Sequence, residues 1–407
     1  MFLVDSIRKD FPFLQKKDAT TYIYFDNAAT TQKPQQVIEA ISNFYAYNTS
    51  NVFRSMYLKA EQITSFYEQA RSNIASFIGA DSSETIFTSG TTEGINFVAS
   101  TYGTQFLKAG DEIIISQMEH HANFLPWQQL SQRTGIILSI IPITVEGLLD
   151  MKAYETMLSS KTKLVAIAHS SNVLGTTNDV ALITRLAHSV GARVLIDAAQ
   201  SAPHMPLNLH DIGVDFAVFS GHKMLGPTGI GVLYIKKELH ELVNPYQFGG
   251  GMVSEVCREH SCWALAPHKF EAGTPPIVQA IGLSSAIDYL REKVNFNFLR
   301  QHETALVSRA IEGLQSIPGI RILGPIDQLK ERGHLISFVV DKLHAHDVAA
   351  FLDAKDISVA VRAGQQCAQP LHALLGLPAS IRISFYCYNT LEEVDSFIDK
   401  MKLLYQM

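Results

Sequence analysis

From about residue 85 the chain sets short, wholly apolar runs between stretches with helical spacing. The runs are "TIFT" (85–88), "DEIIIS" (111–116), "GIILSIIPI" (135–143), "KLVAIAHSS" (163–171), "ARVLIDAA" (192–199), "FAVFS" (216–220) and "GIGVLYI" (229–235). A strand covered on one face alternates apolar and polar positions. These runs are apolar on both faces, as strands buried in a parallel sheet are. The stretches between them predict helices that cover the sheet. After about residue 275 the texture changes. "VQAIGLSSAIDYLREKV" predicts a long helix leading to a second unit, in which "HLISFVVD", "ISVAVRAG" and "SIRISFYCY" predict strands. The last segment places Leu391, Val394, Ile398, Met401 and Tyr405 on one helical face. Thr390 and Glu393 are spaced as a capping box at its start. The pattern therefore predicts an α/β protein with two domains: a large one over 20–285, and a smaller α+β one made of 1–19 and 286–407.

Composition adds boundaries to this picture. The 407 residues are 47% hydrophobic and 18% charged, ordinary for a globular chain long enough for two cores. The net charge of -6 argues against nucleic acid as a partner. No run of about 18 apolar residues is present, so no membrane span is expected. "MFLVDSIRKDFPFL" interrupts its apolar residues with Asp5, Arg8, Lys9 and Asp10, which predicts a short amphipathic helix rather than a secretory signal. Cys257, Cys262, Cys367 and Cys387 form no CxxC pair, so neither a zinc site nor a disulfide framework is expected, and the cytoplasm is the expected compartment.

Three strand ends carry candidate chemistry. "TIFTSGTTEG" runs a strand into Gly90, Thr91 and Thr92 and then a helix. That arrangement suits a phosphate, and equally a plain helix cap. "VLIDAAQS" ends a buried strand on Asp197, where an acid needs a partner such as a protonated ring nitrogen, unless it serves as a cap. "VFSGHKMLGPTGIGVLY" puts Lys223 between an apolar run and a Gly/Pro-rich turn. It reads either as a solvated loop cation or as a lysine that holds a carbonyl cofactor covalently. "GPTGIG" lacks the lysine–Ser/Thr pair of a nucleotide loop. The order anion cradle, acid, lysine is that of a pyridoxal 5′-phosphate site, and His120 in "MEHHAN" could stack on the ring and move protons. Adjacent histidines such as His120–His121 do not readily share one ion without a carboxylate in the right place, so no metal is expected. Arg382 lies opposite Ile381, Ile383 and Phe385 on its predicted strand. It is either a carboxylate-binding fork or part of a solvated face. Cys367 lies in a predicted loop, whereas Cys387 sits in an apolar run.

From residue 20 to the C-terminus the chain resembles the class V aminotransferase family of pyridoxal-phosphate fold type I, and within it the cysteine desulfurase/selenocysteine lyase group of the Suf-type branch. The likeness is carried, in order, by "DNAATTQKP", "FTSGTTEGIN", "MEHHAN", "HSSNVLGT", "DAAQSAPH", "SGHKMLGPTGIGVLY", "FEAGTP", "RAGQQCAQP" and "RISFYCYNTLEEVD". The resemblance implies a mostly parallel seven-stranded sheet in the large domain. It implies that Lys223 carries pyridoxal 5′-phosphate, Asp197 pairs with the ring nitrogen and Gln200 contacts the ring oxygen. Thr91, Thr92, Ser220 and His222 would hold the phosphate, with Thr274 reaching it from a neighbouring subunit of a homodimer. Asn172 and Arg382 would bind the substrate's α-carboxylate, and Arg362 and His120 would assist the thiolate or the proton traffic. Cys367 would be the nucleophile that takes sulfur from L-cysteine, leaving L-alanine and a persulfide for an acceptor protein in iron–sulfur cluster assembly. Selenocysteine lyase, a related aminotransferase, and a non-catalytic partner-binding subunit are the rival readings. The chain departs from the group at two places. Gln365-Gln366 stand where two histidines are usual, and "FRSMY" keeps Arg54 but loses two histidines and a glycine. Glutamine hydrogen-bonds but does not titrate at neutral pH, so thiol activation, the substrate or the sulfur acceptor is expected to differ.

Overall fold

A computed structural model of the chain describes residues 2–15, 21–53, 55–353 and 357–406. Fifteen strands follow in order: β1 (Thr21–Tyr24), β2 (Thr85–Thr88), β3 (Glu112–Ser116), β4 (Ile137–Ile141), β5 (Thr162–Ala168), β6 (Arg193–Asp197), β7 (Phe216–Ser220), β8 (Gly231–Ile235), β9 (Val253–Val256), β10 (Ser261–Trp263), β11 (Ile320–Leu323), β12 (Leu335–Val340), β13 (Ile357–Ala360), β14 (Arg362–Gly364) and β15 (Ser380–Ser384). The expected seven-stranded sheet is present, ordered β2-β8-β7-β6-β5-β3-β4. Every pairing from β7 to β4 is parallel, and β8 runs antiparallel to both of its neighbours.

Successive residues of a strand point to opposite faces, and the cores obey this. Ile114, Val165, Ile167, Val194 and Ile196 pack on one side with Leu283 and Ile287 of the helix Ile277–Tyr289. Ile113, Ile115, Leu164, Ala166 and Leu195 pack on the other with Trp127 of the helix Leu125–Thr134. One expected strand departs from the rule. β4 is the sheet edge, and in the single chain Ile137 is 47% and Ile140 36% exposed. Its apolar text does not mark burial on both faces.

The C-terminal third forms an antiparallel sheet ordered β11-β12-β15-β14. The helices Phe296–Gln315 and Leu391–Gln406 cover it through Leu306, Ile311, Val394 and Phe397. The capping box forms: Glu393 N donates to Thr390 Oγ1 at 3.2 Å and Thr390 N to Glu393 Oε2 at 3.1 Å. Strand β1 pairs in parallel with β13, so the N-terminal segment crosses to this unit. The amphipathic N-terminal helix is seen at Phe2–Lys9. Among the described residues no helix is long and apolar enough to cross a membrane.

Candidate active site

In an open α/β sheet, ligands bind beyond the carboxyl ends of the strands. Here the ends of β5, β6 and β7 meet the start of the helix Thr91–Val98 and the loop 364–368 around a cavity of about 340 Å³. Two glycines permit the closest approach. A Cβ on Gly231 would lie 2.5 Å from Gly90 Cα and 2.6 Å from the Phe219 carbonyl oxygen. With no side chain there, Thr91 N can donate to Ser220 Oγ at 2.9 Å, while Thr91 Oγ1 stands 2.8 Å from the same oxygen. Thr91, Thr92, Ser220 and His222 thus line one end of the cavity at a helix N-terminus.

Asp197 closes β6 and is buried, its Oδ1 accepting from Ala199 N at 2.9 Å. Burial raises its pKa above the usual carboxylate range, against the pull of that N–H and of Lys223. Lys223 ends the short turn Gly221–Lys223 after β7. Burial pulls its ammonium down to about 8; Asp197 opposes the fall and Arg382 adds to it. His120 accepts from Ala122 N at 3.0 Å through Nδ1, which leaves the proton of the neutral ring on Nε2. Burial and then the Lys223 charge hold its pKa down to about 4. Gln200 Nε2 donates to the Ala28 carbonyl at 2.8 Å, and its Oε1 lies 3.3 Å from His334 Nε2.

Arg382 is buried, with Nη1 on the Asn172 carbonyl at 2.9 Å and Nη2 3.3 Å from Asp26 Oδ1. Its Nε is buried with no hydrogen-bond partner among the described residues, as is Ser170 Oγ in the same cavity. Arg362 pairs with the other oxygen of Asp26 at 2.7 Å. Asn172 also lines the cavity, but its Nδ2 is given to the Gln366 carbonyl at 2.8 Å. Cys367 is exposed at the cavity mouth, and Cys387 is buried as expected. Gln366 and Cys367 both have positive φ, 43° and 54°. Each non-glycine residue held in that region costs about 1–3 kcal/mol, so the surrounding contacts must impose it.

Of the expected site residues, only Thr274 is absent from the cavity; it lies exposed on the segment after Glu271. Arg54 falls outside the described residues, and its neighbours Phe53, Ser55, Met56 and Tyr57 do not line the cavity. Among the described residues no cluster of three or more His, Cys, Asp or Glu could hold a metal. Sequence reasoning missed Asp26, Lys33 and Glu119. Lys33 donates to the His222 carbonyl at 2.9 Å, and burial pulls its ammonium down to about 7. Glu119 is buried behind His120, accepts from Ala168 N at 3.0 Å and Asn123 Nδ2 at 2.6 Å, and has its pKa raised by burial to about 7. All three lie in the motifs above. The partners of Asp26 and the His222 carbonyl that Lys33 reaches are too far away in sequence for spacing to reveal them, whereas Glu119 has Asn123 within one helical turn and is missed because burial is not visible in spacing.

The residues present fit pyridoxal 5′-phosphate. A helix N-terminus ringed by hydroxyls suits its phosphate, a buried acid suits its ring nitrogen, and a lysine whose ammonium is easily deprotonated suits its aldehyde. The orphaned Arg382 Nε leaves a donor for a carboxylate beside it.

Residues 23–397 match the family model Aminotransferase class-V. The chain is 45% identical, over 98% of its own length and 96% of the relative's, to a probable cysteine desulfurase of Streptomyces coelicolor. It is 42% identical, over 97% and 95% respectively, to a cysteine desulfurase of Haloferax volcanii. Among solved structures it resembles the cysteine desulfurase of Thermococcus onnurineus, with a TM-score of 0.94, 40% identity and coverage of 100% and 99% of the two chains.

Proposed function

Since this chain belongs to the class-V aminotransferase family, we propose that it is a pyridoxal 5′-phosphate-dependent cysteine desulfurase that converts L-cysteine to L-alanine and keeps the sulfur as a persulfide on Cys367. The observation that carries the proposal is that Lys223, Asp197, Arg382 and Cys367, from four separate segments, line one cavity. The bound cofactor supplies an electron sink for the substrate carbon that bears the amino group.

The chain's own residues do the rest. Arg382 offers its unpartnered Nε to the substrate carboxylate, with Asp26 and the Asn172 carbonyl holding the guanidinium in place. Asp197 keeps the ring nitrogen charged. Lys223, low enough in pKa to be partly neutral near pH 7, removes the Cα proton. The Cys367 thiolate attacks the substrate sulfur. The new S–S bond forms as the Cβ–S bond breaks, the electron pair left on Cβ takes up a proton, and Lys223 returns a proton to Cα to complete alanine. His120 is placed to stack on the ring and to pass protons through Nε2. Thr91, Thr92, Ser220 and His222 anchor the phosphate.

Three finer assignments belong to the same proposal. The protein is a homodimer in which Thr274 serves the neighbouring subunit. It is of the Suf-type branch and hands its sulfur to an acceptor protein for iron–sulfur clusters. It works in a reducing cytoplasm, which keeps Cys367 a thiol. The exposure of both Cys367 and Thr274 supports the first two. The two-domain division at 20–285 is proposed with one amendment: the pairing of β1 with β13, Phe25 in the small unit's core and the bridge from Asp26 to Ser384 support a first boundary after Asp26.

The test is incubation with L-cysteine followed by mass spectrometry of the Cys367 peptide. An added sulfur in the wild type, absent in Cys367→Ala, is expected. Full cysteine turnover by Cys367→Ala would point to the aminotransferase reading. Selenocysteine turnover surviving in that variant while cysteine turnover is lost would point to the lyase.

A further inference from the structure

The loop that bears Cys367 contains two adjacent non-glycine residues in the left-handed region, Gln366 and Cys367. Such a backbone persists only where its surroundings over-determine it. The surroundings form a closed ring. Gln366 Nε2 donates to the Ser380 carbonyl at 3.0 Å, and Ser380 Oγ donates to Gln366 Oε1 at 3.0 Å. His372 Nδ1 donates to the Ala368 carbonyl at 3.0 Å, and its Nε2 is 3.0 Å from Ser380 Oγ, whose one proton is shared between that nitrogen and Gln366 Oε1. The chain of contacts thus leaves the backbone just before Cys367 and returns to it just after. Ser380 and His372 are fully buried, and Gln366 is 9% exposed. The two nearest carbonyls are held from outside the ring: Gln366 O by Asn172 Nδ2 at 2.8 Å and Cys367 O by His121 N at 2.7 Å.

We propose that the Gln366–Ser380–His372 ring is a positioning device that holds Cys367 in its strained conformation, aimed at the substrate sulfur. The inference rests on reading Cys367 as the sulfur acceptor. It also gives residue 366 a role other than thiol activation. The amide of Gln366 is turned inward, with both polar ends occupied by Ser380, so residue 366 adds no titrating group and His372 is the ring's titratable member. The carboxylate-binding Arg382 lies outside the ring.

The test compares Gln366→Ala, Ser380→Ala and the double variant as holoenzymes. Amide hydrogen exchange of peptides spanning 364–368, measured without substrate, is expected to quicken at least about tenfold in each. The kcat for cysteine is expected to fall about tenfold while KM rises by less than that, because Arg382 keeps its own bond to Asp26 and the ring reaches the carboxylate end only through Asn172 on the Gln366 carbonyl. The double variant is expected to be no worse than the worse single one, since both break one ring. Ser380→Ala removes a single oxygen, and it decides the matter if Gln366→Ala does not fold. Unchanged exchange, a rise in KM matching the fall in kcat, or losses that multiply would each overturn the proposal. The exchange arm judges the ring alone. Absence of the wild-type persulfide would instead remove the desulfurase reading.

Discussion

Lys223 and Asp197 stand at the ends of neighbouring parallel strands, and their charges are coupled through a buried cavity. The folded pKa of Lys223 is about 8, lowered from 10.5. The neutral amine needed for proton removal therefore grows as pH rises through 8. We expect kcat for cysteine, which reports the substrate-bound enzyme in which Lys223 is a free amine, to climb between about pH 7 and 8.5 and then level. Lys223→Ala should remove turnover, and with it the slope, together with the absorbance band of the lysine–cofactor imine. Arg382 makes a second test. Lysine in its place keeps the charge but loses the planar fork, and a charge-assisted hydrogen bond contributes about 1.5–3 kcal/mol. Arg382→Lys should raise KM for cysteine about 10- to 100-fold in steady-state kinetics. At this scale the motifs singled out Lys223, Asp197 and Cys367, and the structure brings the three to one cavity, but their roles came from the resemblance, since alone Lys223 read equally as a loop cation and Asp197 as a cap. Asp26 was not legible. It joins Arg362 and Arg382 from more than 300 residues away, and nothing in local spacing reports that contact.

Strands β2 and β8 show what pattern does and does not convey about elements. Their apolar runs predicted strands, and strands they are. Their order in the sheet, and the reversal of β8 against its parallel neighbours, depend on connections that local periodicity does not encode. β4 marks the same limit, since its text matches a central strand and its place is an edge. Long-range polar contacts then fix what pattern leaves open. Arg71 is fully buried on the helix Leu58–Phe77 and forks onto Glu271 with bonds of 2.6 and 2.8 Å. It donates to the Thr85 carbonyl at 2.8 Å, and Glu271 accepts from Phe87 N at 2.7 Å. The guanidinium also lies 4.5 Å from the centroid of the Phe87 ring. One ion pair thus ties β2 to the segment that carries Thr274. Breaking a buried pair by removing one partner costs about 3–5 kcal/mol, because the other charge is left uncompensated. Arg71→Ala should lower unfolding free energy by about that amount in urea, with the loss of phosphate-end geometry showing as weaker cofactor retention.

The whole molecule leaves one expected contact unmade within a single chain. Thr274 is exposed and outside the cavity, although Glu271, three residues earlier, is anchored firmly. A rigid base under an exposed hydroxyl is what a donor to another subunit requires, whereas a residue serving its own site would face it. If the dimer is built this way, light scattering should give twice the 45.0 kDa chain mass. Mass alone does not locate Thr274, but mixed dimers do. Thr274→Ala homodimers should bind the cofactor weakly, and Lys223→Ala homodimers should be inactive. When one chain of each is joined, the Thr274→Ala chain still has its own Lys223 and receives an intact Thr274 from its partner. That site should recover wild-type cofactor affinity, and the mixed dimer about half of wild-type activity. If Thr274 acted within its own chain, the mixed dimer would contain one site lacking the lysine and one lacking the threonine, and no recovery would follow. Differently tagged chains, purified as heterodimers and titrated with the cofactor, separate the two arrangements in one measurement.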